Sequence, residues 1–280
     1  MTGPLILSIF PGVDLLGRAF AEEWTGACIV RGPDLLWGGD IRSFHPPAGC
    51  WGGIIGGPPC PDFSPLRYLI AAHGYQSRHG NLIPEFERCV SEAQPDWFLM
   101  EEGPLAPDAV VPGYAQHGFF LCPTWLGEAQ SRKRKFCFGV KGDRLIKLED
   151  WIDNLAVFGP LVAESTVCQA PPPGTRDKIR QGAVYSNLVD NSDDAKGRVK
   201  QPAVTHYADP YPVQRGGSGK VKAPSRSWEE SCRLQGVEPT FLADAPFTLT
   251  GKREVLGNGV AMPVGRAIAR AIRSALGWPE

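Results

Sequence analysis

Cys60 directly follows Gly56-Gly57-Pro58-Pro59, a stiff turn that closes the apolar run Trp51 to Ile55. A thiol fixed at a strand end stands where a nucleophile would be held exposed and immobile, although a structural cysteine also fits there. Glu101 ends a second apolar run, Trp97-Phe98-Leu99-Met100, and a carboxyl group in such surroundings is pushed toward acid chemistry. Gln130-Ser131-Arg132-Lys133-Arg134 leads into Phe136-Cys137-Phe138. Read as one strand, this run puts Arg132 and Arg134 on the same face; read as a solvated basic run, it carries no site. Phe10-Pro11-Gly12-Val13-Asp14 is a turn in the position of a nucleotide-binding turn, but it lacks a full G-x-G-x-x-G, so a tight turn without ligand fits it as well. Asp40, in Gly39-Asp40-Ile41, either accepts a hydrogen bond from an adenine or ribose or simply caps its loop.

The elements that must position these groups read as an α/β protein. Leu5 to Phe10 is a short apolar run stopped by Pro11-Gly12, and Leu15, Leu16, Ala19 and Phe20 then recur at helical spacing. A second strand is predicted at Ala27–Val30 and a third at Trp51–Ile55. Leu82 to Ala93 carries apolar residues at 82, 83, 86, 89, 90 and 93, one face of a helix, before the strand at Trp97. Strands alternating with helices predict a doubly wound sheet that binds ligands at the carboxyl ends of its strands. Pro263 to Leu276 predicts a core-packing amphipathic helix with Arg266, Arg270 and Arg273 toward solvent.

Composition narrows the class. With 33 Gly and 27 Pro in 280 residues the chain is too rich in turns for a helical bundle, while 42% apolar residues and 8 Trp exclude disorder. The formal net charge of −1 hides an asymmetry. Residues 169 to 226 hold ten Lys and Arg against five Asp, a balance of +5 that leaves −6 for the remainder. That segment reads as a solvated linker or as an insert facing nucleic acid. None of the 8 Cys stands in a zinc-ligand spacing, so no metal is expected, and free thiols fit a reducing compartment. The first apolar run is too short to span a bilayer and lacks a basic leader, so a cytoplasmic protein is expected.

The order of the pieces resembles the DNA (cytosine-5-)-methyltransferase family. Phe10-Pro11-Gly12 is similar to its cofactor turn, Gly39-Asp40-Ile41 to its adenine contact, and Gly56-Gly57-Pro58-Pro59-Cys60-x-x-Phe63-Ser64 to its nucleophile loop. Phe98-Leu99-Met100-Glu101 resembles the strand that ends in the catalytic glutamate, and Gln130-x-Arg132-x-Arg134 the Q-x-R-x-R motif. Arg233-Leu234-Gln235-Gly236 and Gly257-Asn258-Gly259-Val260 resemble the two motifs beyond the family's variable region.

The resemblance implies a Rossmann-like, S-adenosylmethionine-dependent methyltransferase sheet with a small, loop-rich target-recognition region. The division it implies is a catalytic domain over 1–145, target recognition over 146–226, and a return to the catalytic domain over 227–280. Cys60, Glu101, Arg132 and Arg134 are the catalytic residues so implied. The cofactor, released as S-adenosylhomocysteine, is expected against Phe10, Pro11, Gly12, Asp34, Asp40, Ile41, Pro58, Leu82, Asn258 and Val260. The implied substrate is double-stranded DNA, met by a monomer of bacterial or phage type with no membrane partner. RNA modification by the same residues and a silent DNA-binding homologue are the alternatives. The sequence departs from the family pattern at Asp14, where a second glycine is usual and a side chain would crowd the cofactor. It departs again at Val30-Arg31-Gly32-Pro33-Asp34, where the second strand usually ends at an acidic residue that holds ribose and Asp34 is a displaced substitute. Pro61 and Glu102 also stand where glutamine and asparagine are usual.

Overall fold

A computed structural model describes residues 3–59, 63, 80–152, 201–202 and 227–278. The first apolar run forms β1 (Leu5–Ile9), which lies between two parallel neighbours, β2 (Cys28–Arg31) and β3 (Gly53–Gly56). β4 (Trp97–Glu102) continues the parallel sheet beside β3. β5 (Tyr114–Leu121) and β7 (Arg134–Lys141) complete it in the order β2-β1-β3-β4-β7-β5, with β7 antiparallel to both of its neighbours. The doubly wound α/β sheet predicted from the sequence is therefore present, as a mixed sheet of six strands.

Each sheet face buries one stripe of alternating side chains. Trp97, Leu99, Phe136 and Phe138 pack in one cluster with α1 (Leu15–Glu23) and α5 (Met262–Ala275). Phe98, Met100, Leu7, Ile9 and Ile54 pack in the other with α2 (Ile83–Ala93), whose buried residues Ile83, Phe86, Cys89, Val90 and Ala93 follow the predicted helical spacing. α1 and α5 meet with their backbones close, because a Cβ on Gly265 would stand 2.7 Å from that of Ala19. The arginines of α5 do not simply face water: Arg266 pairs with Glu22 at 2.8 Å, Arg270 with Glu23 at 2.7 Å, and Arg273 donates to the Glu23 carbonyl. Amphipathic spacing identifies a polar face but not the acidic helix end that lies beside it.

The run from Gln130 to Phe138 is two strands. β6 (Gln130–Ser131) pairs in parallel with β8 (Gln201–Pro202), the ladder breaks at Arg132 and Lys133, and β7 begins at Arg134. The break lets the buried Arg132 turn to backbone carbonyls on the far side of the chain, so the two arginines do not share one strand face. α3 (Trp228–Gln235) and α4 (Leu249–Asn258) carry the two late motifs. Among the described residues no helix is long and apolar enough to cross a membrane.

Candidate active site

The chain leaves β1 for β2 on one side and returns to β3 on the other, so the carboxyl end of β1 is a topological switch point, where open α/β sheets bind ligands. The turn there takes the left-handed region at alternate residues, with φ of 53° at Phe10, 55° at Gly12 and 58° at Asp14. Asp34 accepts a hydrogen bond from the Gly12 amide at 2.8 Å, and the Trp37 indole donates to the Gly12 carbonyl at 2.7 Å. Among the described residues, nothing lies within 4 Å of the place a Gly12 Cβ would take. Phe10, Ile41 and Leu82 belong to one apolar cluster, and Pro58 is buried nearby in sequence at the end of β3. Asp40 caps a 3₁₀ turn (Ile41–Ser43) through the Arg42 amide and pairs with the Arg42 side chain at 3.3 Å. A turn with the Asp34 carboxylate beside it and an apolar ring at its edge suits a nucleoside, whose hydroxyls need acceptors.

Asp14, expected from the sequence to crowd the cofactor, ends this turn in the left-handed region. Its side chain turns inward, 4% exposed, where it accepts from the Ser8 hydroxyl at 2.7 Å, the Gly17 amide at 3.2 Å and Arg31 Nε at 2.9 Å. Burial pushes its carboxyl group up from its ordinary value, outweighing those hydrogen bonds.

At the end of β4, Glu101 pairs with Arg134 Nε at 3.0 Å, the two being brought together by the antiparallel register of β4 and β7. The Gly-Gly-Pro-Pro turn runs against this pair, since a Cβ on Gly57 would stand 2.9 Å from Glu101 Oε2. Phe63, three residues beyond Cys60, lies with its carbonyl 3.6 Å from where a Gly103 Cβ would be. Cys60 itself lies outside the described residues. Glu102 is 6% exposed; burial and the neighbouring Glu101 push its carboxyl group up to about 8.

Arg132 is buried, donates to the carbonyls of Gly257 and Asn258, and is pushed down to about 9 by burial and by Arg134. Gln130 donates to the Leu234 carbonyl at 2.7 Å and to Gln235 Oε1 at 3.0 Å, and Gln235 in turn donates to the carbonyls of Leu256 and Gly259. Buried amides thus lock the Q-x-R-x-R segment to both late motifs. Gly259 reaches α1, as a Cβ there would stand 2.7 Å from Leu15 Cδ1. Asn258 is exposed, and Val260 packs into the cluster on the α5 side of the sheet, apart from Phe10, Ile41 and Leu82. The sequence reading missed Arg88, which donates to the Ile41 carbonyl at 2.8 Å, because its place between Glu85 and Glu92 reads as an ordinary helix surface. Among the described residues no group of three or more His, Cys, Asp or Glu could hold a metal ion.

The sheet order, the switch-point turn and the polar groups at the strand ends define a Rossmann-like methyltransferase fold. The structure of the Entamoeba histolytica methyltransferase EhMeth is similar at 12% identity and a TM-score of 0.58, covering 99% of each chain. That of Spodoptera frugiperda DNMT2 is similar at 15% identity and a TM-score of 0.58, covering 96% of this chain and 99% of that one. A putative DNA modification methyltransferase encoded within an E. coli prophage is similar at 16% identity and a TM-score of 0.52, covering 98% of this chain and 99% of that one. No curated protein sequence matches the chain. Residues 39–104, from Gly39 through the Glu101 strand, match the model of the C-5 cytosine-specific DNA methylases. The resemblance to the cytosine-5 methyltransferases is therefore borne out: the chain carries their fold and, over that segment, their family signature.

Proposed function

We propose that the protein transfers a methyl group from S-adenosylmethionine to carbon 5 of cytosine in double-stranded DNA. The observation that carries this reading is the Glu101–Arg134 pair set against Gly57 of the nucleophile loop, inside the segment that matches the family. When bound, S-adenosylmethionine supplies a methyl group on a sulfonium, with S-adenosylhomocysteine as the leaving group. Phe10, Asp34, Asp40 and Ile41 would hold its adenosine, with Asn258 toward the methionine end.

Carbon 5 of cytosine is too weak a nucleophile on its own. The Cys60 thiolate adds at carbon 6, Glu101 binds N3, and Arg134 binds O2, so the charge arriving in the ring is drawn toward groups already in place at both atoms. Carbon 5, now enamine-like, accepts the methyl; its proton then leaves to solvent and the thiolate is expelled, restoring the 5,6 double bond. Arg132 acts from behind, tying the strand to Gly257 and Asn258. The target base must leave the stack to reach this edge, at about a few kcal/mol. Residues 1–145 and 227–280 form the catalytic domain in this reading, and 146–226 recognise the target.

The test is trapping on duplex DNA that carries 5-fluorocytosine, with cofactor present. A complex that survives denaturing electrophoresis is expected with the wild type and absent with Cys60→Ser, which should lose methyl transfer yet keep its DNA affinity. A wild type that binds only non-covalently would overturn the enzyme reading. Methyl-transfer competition between duplex DNA and tRNA decides the substrate, since preference for tRNA would replace DNA with RNA at the same residues.

A further inference from the structure

Asp14 is the residue that departs most sharply from a glycine-built cofactor turn, and its surroundings are built to receive it. Its carboxylate gathers donors from three elements: the Ser8 hydroxyl of β1 at 2.7 Å, the Gly17 amide of α1 at 3.2 Å, and Arg31 Nε at the end of β2 at 2.9 Å. Gly17 is matched to it, because a Cβ at that position would stand 2.4 Å from Asp14 Oδ1. Asp14 adopts φ 58°, a conformation that aspartate tolerates better than most residues but that still needs support. From the side, Asp34 and Trp37 hold the two polar groups of Gly12. The turn is thus held from below and from beside by side chains, while among the described residues nothing lies within 4 Å of the place a Gly12 Cβ would take.

We infer that Asp14, clamped between Ser8 and Arg31, is a positioning residue for the cofactor: it cross-links β1, β2 and α1 so that the turn at Phe10–Gly12 is already in its binding shape. The inference rests on the S-adenosylmethionine reading above. A glycine turn must be ordered when the ligand arrives, and that ordering weakens binding; a turn ordered by the fold avoids the loss. Arg31 occupies the place of an acidic strand end because its partner is the Asp14 carboxylate, and the acceptor beside the turn is supplied by Asp34 instead.

The opposite account, in which Asp14 obstructs the cofactor, predicts the opposite result, so one substitution separates the two. S-adenosylmethionine binding to the full chain is measured by calorimetry for wild type, Asp14→Gly, Asp14→Asn, Arg31→Ala and the double variant D14N/R31A, with methyl transfer at saturating cofactor alongside. Asp14→Gly should weaken binding about tenfold while kcat at saturation stays within about twofold. Asp14→Asn, which keeps acceptors for Ser8 and Gly17 but loses the charge facing Arg31, should weaken binding about threefold, and Arg31→Ala should add nothing further in that background. Equal or tighter binding by Asp14→Gly would overturn the inference, as would additive losses in the D14N/R31A cycle. If Asp14→Gly is unfolded at the assay temperature, the cycle decides alone. A wild type that does not bind S-adenosylmethionine would sink the cofactor reading and this inference together, whereas a wild type that binds and an Asp14→Gly that binds equally sinks the inference alone.

Discussion

Glu102 stands directly after Glu101, yet the alternation of β4 sends the two carboxyl groups to opposite faces of the sheet. Its cross-strand neighbour Lys135 does not rescue it, because that ammonium goes to Asp108 at 2.9 Å and to the Ala106 carbonyl at 2.8 Å. One Glu102 oxygen accepts from the Gly103 amide at 3.0 Å, and the other is buried with no hydrogen-bond partner among the described residues. Burial first, and the charge of Glu101 second, push the carboxyl group from 4.5 up to about 8, against a weaker pull from Arg134. The folded chain therefore holds a proton that the unfolded chain releases across that window, so stability through Glu102 is full below about pH 4.5 and falls as pH rises toward 8. The slope is at most about 1.4 kcal/mol per pH unit for one proton. Denaturant melts of Glu102→Gln and wild type from pH 5 to 8.5 should show the variant gaining relative stability as pH rises; a difference independent of pH would refute this. In the sequence Glu102 is visible only as a replacement for asparagine. Its burial depends on the β4–β7 register, which cannot be read from the local residues. Asp14 is a parallel case: its position is plain in the sequence, but the inward turn of its side chain requires Ser8 and Arg31 to be in place.

Elements were more legible than the links between them. The periodic residues of α2 and the apolar runs of β1, β3 and β4 mark their own places, since one face of each must be buried. The antiparallel insertion of β7 and the break at Arg132 were not legible, because pairing direction and the remote carbonyls that Arg132 satisfies are non-local. The outer face of α2 shows the same limit. Arg88 is held by Glu85 at 2.8 Å and by Glu92 at 2.9 Å, and this leaves its Nη2 aimed at the Ile41 carbonyl, 2.8 Å away and 47 positions distant in sequence. Helix α2 thereby fixes the 3₁₀ turn that begins at Ile41, next to the proposed adenine acceptor Asp40. Replacing Arg88 by Ala should weaken S-adenosylmethionine binding about fivefold, on the order of 1 kcal/mol, with kcat at saturating cofactor unchanged. Arg88→Lys, which keeps the charge but not the fork geometry, should fall between. A loss in kcat with unchanged affinity would place Arg88 in a different role.

Across the whole molecule, charge is divided: residues 169–226 carry ten Lys and Arg against five Asp, while the chain as a whole sums to −1. Most of that segment lies outside the described residues, but Gln201 and Pro202 form β8 and pair with Gln130 and Ser131. Lys196, Arg198 and Lys200 lie outside the described residues, but in the sequence they directly precede β8, the partner of the strand that leads to Arg132 and Arg134. Basic residues that adjoin this strand in the sequence suit phosphates, the sequence-independent part of nucleic-acid affinity. Deleting the segment would also remove β8 from β6, so the test is by substitution. In Lys196→Gln, Arg198→Gln and Lys200→Gln combined, the slope of log affinity for duplex DNA against log salt should become shallower by up to about 2.7, at about 0.9 for each phosphate no longer neutralised. Methyl transfer at low salt and saturating DNA should persist, because Cys60, Glu101 and Arg134 are untouched. An unchanged salt slope with full affinity would locate the DNA-binding charge elsewhere on the chain. A shallower slope together with lost turnover at saturating DNA would instead make this basic run part of the machinery that holds the flipped base.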